Sequence, residues 1–380
     1  MDVNKGMVLQ ESHFFFSPQT LFGQNRIYRM GLRQKYLISD FPIFLNYQNH
    51  TFHSMKNYTL LLAFFLLAIS NLSAQDEAKY QSLIGEAEKL YDEKAWESSA
   101  EKYAEAFVAL GNKGYINDRY NAACSYALSN QVDSAFVQLL KIAKGGHYTN
   151  YNHLLKDSDL SSLYEDSRWE EVKKHVKANK DKQEENYDKP LVAQLEKIFD
   201  EDQGPRRKIA AIEKEHGWES PQMKELWKEI EVKDSINLIR VMKILDERGW
   251  LGADIIGGKG NQTLFLVIQH APLEVQEKYL PMMREAVEKG NANARSLALL
   301  EDRVALRQGK RQMYGSQIGR DQETGESYVL PLDDPMNVDK RRAEMGLGSL
   351  QDYVGRWGIT WDPETYLEEL PALEEKQKNK

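Results

Sequence analysis

The sequence predicts a mostly α-helical chain carrying one β-hairpin. Three observations lead there. From residue 76 onward, apolar residues recur every three or four positions over long stretches, the period of helices with one buried face. Glycines stand where those stretches end, at Gly217, Gly249, Gly290 and Gly346, as helix C-termini favour. A β-like run broken by a glycine-rich turn occurs only between Arg311 and Leu330.

Composition suits a soluble globular chain: of 380 residues, 41% are hydrophobic and 28% charged, and the length allows two domains. The formal charge is −8; residues 1–74, with six basic and three acidic side chains, contribute +3, leaving −11 for the remainder. Such an acidic body exerts no long-range pull on nucleic acid or anionic lipid. A single cysteine, Cys124, excludes an internal disulfide or a cysteine-based zinc site. Its neighbours Ala122, Ala123 and Tyr126 mark it as a small core residue.

Taken in order, the chain begins with Met1–Ser54, rich in Phe and Tyr without period. Met55-Lys56-Asn57 then precedes an apolar run from Tyr58 to Ile69 and the small-residue exit Ser70-Asn71-Leu72-Ser73-Ala74. This is the pattern of a signal peptide cleaved after Ala74, and it is short for a spanning helix, which needs about 20 apolar residues. Residues 1–54 are expected to be a doubtful upstream extension, with Met55 the true start. The alternative is a cytosolic tail followed by a signal anchor. The first reading predicts an exported protein, periplasmic or extracellular, with no stable membrane span after processing.

Residues 76–180 form a helical module. Ala87, Trp96, Ser99, Tyr103 and Ala106 make one small-and-aromatic set; Ala123, Tyr126, Ala135, Leu139 and Ile142 make a second. Ser99 and Ala135 lie 36 positions apart. These sets resemble tetratricopeptide repeats, whose period is about 34. The resemblance implies stacked helical hairpins that bind a protein partner; a spacer or dimerisation element is the alternative. Trp169, Val172 and Val176 form an apolar stripe able to close the stack.

Lys177–Lys189 is almost wholly charged or amide and ends at Pro190, placing a linker at 181–190. Residues 191–375 are expected to form a helical domain. Leu191, Leu195, Ile198 and Phe199 make a helical stripe, and a turn is expected at Asp200–Arg207. A long helix runs from about Pro221, with Trp227, Ile230, Ile236, Ile239, Met242 and Leu245 facing inward. Gly252, Gly257, Gly258 and Gly260 suggest a flexible loop. Lys259 lies within it, but Ala253 and Gly260 stand where a phosphate loop needs Gly and Ser or Thr. Helices follow over Glu274–Glu288, Ala292–Arg307, Val338–Met345 and Leu350–Gly355, and the tail from Glu374 is expected to be disordered.

Asp202-Gln203-Gly204-Pro205-Arg206, Gln269-His270-Ala271, Asp302-Arg303, Gln312-Met313-Tyr314-Gly315-Ser316-Gln317 and Arg341-Arg342 with Gly346-Leu347 together resemble an uncharacterised bacterial domain family, in which Thr often replaces Ser316. The resemblance spans about 187–355. It implies a single, mostly helical domain and brings no activity.

The candidate site gathers these polar residues. His270 would act as general acid or base, with Asp302 the nearest residue to orient it. Gln269, Arg303, Tyr314 and Gln317 would bind a ligand, with Asp202 and Arg206 contributing; the Arg303 fork suits a carboxylate or phosphate. The alternative is a buried structural network, because burying such groups is costly unless they satisfy one another. There is no His-Glu-x-x-His or Gly-x-Ser-x-Gly motif, and no metal or cofactor is expected. Two functions follow: an envelope scaffold recruiting a partner through its repeats, or an enzyme or small-ligand binder using the His/Asp/Arg/Tyr pocket.

Overall fold

The computed structural model describes residues 76–321 and 324–378. The apolar run Tyr58–Ile69, expected to belong to a signal peptide, and everything before it lie outside those residues. The described chain divides into two compact units, meeting in sequence between Glu185 and Asn186. Both are helical, and among the described residues the one sheet has two strands. No helix of the described chain is long and apolar enough to cross a membrane.

The first unit is built of antiparallel helices: α1 (residues 76–92), then α2 (Trp96–Ala109), α3 (Ile116–Leu128) and α4 (Val132–Lys144). Small side chains let them approach closely. Ala87, Ala100, Ala106, Ala122, Ala123 and Ala135 are fully buried. The buried Ser99 hydroxyl donates to the Ala87 carbonyl at 2.8 Å and meets the Ser125 hydroxyl at 3.0 Å, so polar atoms at the tightest crossing are paired. A short helix α5 (Tyr151–Leu154) and a 3-10 turn (Ser158–Leu163) lead into α6 (Arg168–Gln183). Trp169, Val172 and Val176 on α6 close the core. The Tyr120 hydroxyl donates to the Asp157 carboxylate at 2.8 Å and Tyr91 bonds Asp159, pinning the connecting segment. Cys124 is buried and unpaired with any other cysteine.

The second unit packs α7 (Lys189–Arg206), α9 (Pro221–Arg248), α10 (Ala253–His270), α11 (Leu273–Glu288) and α12 (Ala294–Arg307) around one core. Between α7 and α9, α8 (Ile209–His216) forms a small side cluster through Ile209, with Met223, Leu226 and Ile230 of α9. The chain continues through strands β1 (Ile318–Arg320) and β2 (Ser327–Val329), paired antiparallel with Ile318 opposite Val329 and Gly319 opposite Tyr328. Then follow α13 (Val338–Glu344), α14 (Leu350–Val354) and α15 (Pro363–Lys378). Ile318, Val329, Leu332, Leu350, Val354, Tyr366 and Leu370 make their shared core.

Four expectations need correction. Asp200–Arg207 is no turn: α7 runs through Arg206, because Asp202 continues the buried stripe of Leu191, Leu195 and Ile198 at three- and four-residue spacing. Gly252–Gly260 is no loop: Gly252 caps α10 and the other three glycines lie in it, the helix being broken at Gly257 (φ 70°, ψ 162°). There a side chain would be strained in φ and would also meet the Tyr187 ring at 3.3 Å. Ile236 and Ile239 face outward, 45% and 71% exposed; the buried face of α9 runs instead through Ile230, Asn237, Val241, Ile244 and Leu245. The tail from Glu374 is helical to Lys378, with Glu374 accepting from Arg311 at 2.7 Å.

Candidate functional site

Asp202, on the last turns of α7, is 1% exposed. A carboxylate so buried must be met by positive charge or by many donors. His270 Nδ1 lies 3.2 Å from its Oδ1, and Arg206, one turn on, approaches the same oxygen at 3.3 Å. Gln203 donates to Oδ2 at 2.5 Å. The Arg206 guanidinium also spans both oxygens of Asp234 on α9, at 2.9 and 2.6 Å. Burial pushes the Asp202 carboxyl pKa up; the His270 and Arg206 charges and the Gln203 amide outweigh it and hold the value at about 2.

His270 is placed by the end of α10. Ala271 is extended (ψ 162°), as the residue before Pro272 must be, so the helix stops with His270 in its final turn. With Nδ1 facing Asp202, Nε2 has no protein partner among the described residues, and the side chain is 16% exposed.

Asp302 does not orient His270. It is fully buried on α12 and receives the backbone amides of Met313 (2.7 Å), Tyr314 (2.9 Å) and Ser316 (2.9 Å). Burial, stronger than those amides, raises its pKa above the usual carboxylate value. Its work is to shape the loop 312–317, which turns at Gly315 (φ 67°). Gln312, also fully buried, closes that loop by accepting from the Gln317 amide at 2.8 Å and donating to the carbonyls of Gln317 and Leu330. From outside, buried Arg342 donates to the Tyr314 and Gly348 carbonyls at 2.6 and 2.7 Å, and Tyr353 donates to the Ser316 carbonyl at 2.8 Å.

The eight expected residues therefore fall into two groups. Asp202, Arg206 and His270 form one. Asp302, Tyr314 and Gln317 belong to the loop network; the Tyr314 hydroxyl bonds Glu301 at 3.2 Å, and burial, then that carboxylate, push its pKa up to about 12. Arg303 and Gln269 link the groups: Arg303 donates to the Gln269 carbonyl at 3.1 Å and to Gln317 Oε1 at 3.3 Å. Sequence reasoning missed Asp234, Asn237 and Gln276, and quoted Gln312 and Arg342 only within the motifs of the resemblance, with no role. The first two interrupt the buried stripe of α9 where hydrocarbon is expected, and that was the available signal.

Asp202, Asp234 and His270 present ligand-type atoms within 4.8 Å of one another. Arg206 lies between both carboxylates, so a metal ion there would have to displace a guanidinium that already supplies the positive charge.

Residues 190–358 match the model of a family of unknown function (DUF6624). That span holds the helical bundle, both polar groups and the hairpin. No curated protein and no solved structure matches the chain.

Two outcomes follow from the buried carboxylates. An unfolded Asp titrates near 3.9, so ionised Asp202 contributes about 2 kcal/mol to stability above about pH 5, lost as pH falls toward 2. Chemical denaturation across that range should show this loss in the parent chain and not in Asp202→Asn. Asp302→Ala should cost about 3 kcal/mol in the same measurement, since three backbone amides are left buried and unpaired.

Proposed function

We propose that the domain spanning 190–358 is a small-ligand site whose working group is His270, used as a proton acceptor and donor and oriented by Asp202. One observation carries this reading: Nδ1 faces a buried carboxylate at 3.2 Å while, among the described residues, Nε2 has no protein partner on a part-exposed ring. A carboxylate on Nδ1 favours the tautomer in which Nε2 holds the free lone pair, and it stabilises the imidazolium formed after proton uptake. Asp202 is thus a positioning residue, and Arg206 holds Asp202 against Asp234. The Asp302 group serves as scaffold for the loop beside it.

For the whole chain we infer an exported protein in which residues 76–180 are a tetratricopeptide-like module that recruits a protein partner in the cell envelope. The signal-like segment Met55–Ala74 and the small-residue packing of the helical hairpins support this reading.

Diethyl pyrocarbonate, which acylates the free imidazole nitrogen, tests the site. His270 should be modified, and Asp202→Asn should slow that modification severalfold while leaving the exposed His147 and His216 unchanged. An inert His270 in a chain whose His147 and His216 react would sink the proposal.

A further inference from the structure

At the His270 end of the bundle the core stops being hydrocarbon. Asn237 stands one turn before Val241 on α9, Gln269 one turn beyond Phe265 on α10, and Gln276 one turn before Leu280 on α11. Each occupies a core-facing position and none is more than 1% exposed. They belong to one end of the fold. Gln276 donates to the Gln269 carbonyl at 2.8 Å; Gln269 adjoins His270; and Asn237 lies one turn from Asp234, which Arg206 ties to Asp202.

Each amide also carries a buried polar atom with no partner among the described residues: Asn237 Nδ2, Gln269 Oε1 and Gln276 Oε1. Two of the orientations are set by what the other end of the amide does. Gln276 uses Nε2 on the Gln269 carbonyl, and Asn237 Oδ1 faces the Arg240 guanidinium at 3.4 Å. Turning either amide over would set acceptor against acceptor or donor against donor. Gln269 Oε1 makes no hydrogen bond among the described residues. Buried polar groups are nearly always paired, so each exception calls for a role or for a partner that is not part of the chain.

The open set is one N–H donor and two carbonyl acceptors. Its complement is a group with two N–H donors and one carbonyl oxygen. A carboxylate lacks the donors and would face two acceptors. We propose that this layer binds an uncharged carboxamide or urea group, held beside the His270 imidazole; the proposal deepens the reading of the Asp202–His270 pair as the working site.

Thermal melts of the full chain with acetamide test it, with acetate at equal concentration as the same-shaped ligand without N–H donors. Acetamide at about ten times its Kd should raise Tm by roughly 2–4 °C, and acetate should not. Gln269→Met, close in shape and without the amide, should lose the response, as should Gln276→Met if the first variant folds poorly. No acetamide shift, an equal acetate shift, or a shift that survives both substitutions would each overturn the proposal; the first is what a layer holding only water would give. The diethyl pyrocarbonate result reads the imidazole directly, so a failure here leaves the dyad standing, whereas an inert His270 fails the dyad whatever acetamide does.

Discussion

A negative charge taken out of water at Asp202 sets the positions of three helices. An isolated buried carboxylate costs several kcal/mol even after relaxation, and here the cost is offset from two directions. Arg206 reaches it along α7 and His270 from the end of α10, while Asp234 on α9 holds the guanidinium in place. Loosening any one of these leaves a charge unmet. The ends of α7, α9 and α10 are therefore tied by electrostatics where the apolar stripe of the bundle runs out. The same arrangement leaves one imidazole nitrogen unpartnered and part-exposed.

The second buried carboxylate is met differently, and the contrast assigns the roles. Asp302 makes no ion pair among the described residues; three backbone amides meet it. Those donors belong to the main chain, so the interaction dictates loop conformation and offers nothing to a ligand. Gln312 and Arg342 repeat the pattern, spending their side-chain hydrogen bonds on carbonyls. One network is closed on itself. The other ends in unpaired atoms at His270, Asn237, Gln269 and Gln276. Leaving a buried amide unpaired costs about 1–3 kcal/mol, and proteins retain such costs chiefly where function needs them.

Much of the architecture could be read from periodicity and punctuation. The helices of the first unit, the long α9, the pair α11 and α12, and the hairpin after Arg311 all follow from spacing and from glycines at their ends. The failures share a cause: local signals were weighed where tertiary packing decides. The glycines around Gly257 indicate flexibility only in isolation; against Leu195 and Tyr187 they permit close approach. Ile236 and Ile239 look like core by composition, yet the helical phase set by Val241 and Leu245 turns them to solvent. The sequence shows the candidate residues as polar groups among apolar neighbours, but not which carboxylate meets His270. Asp302 is nearer to His270 in sequence than Asp202 is, and sequence distance has no bearing on which carboxylate lies across the bundle.

The account rests on which nitrogen of His270 carries the proton when the ring is neutral. Nitrogen-15 chemical shifts of the histidine side chains, recorded at mildly alkaline pH with His270→Gln to assign the resonance, report it directly. A proton on Nδ1 and a bare Nε2, reversed or mixed in Asp202→Asn, is the predicted result. A neutral ring protonated at Nε2 in the parent chain would contradict the account.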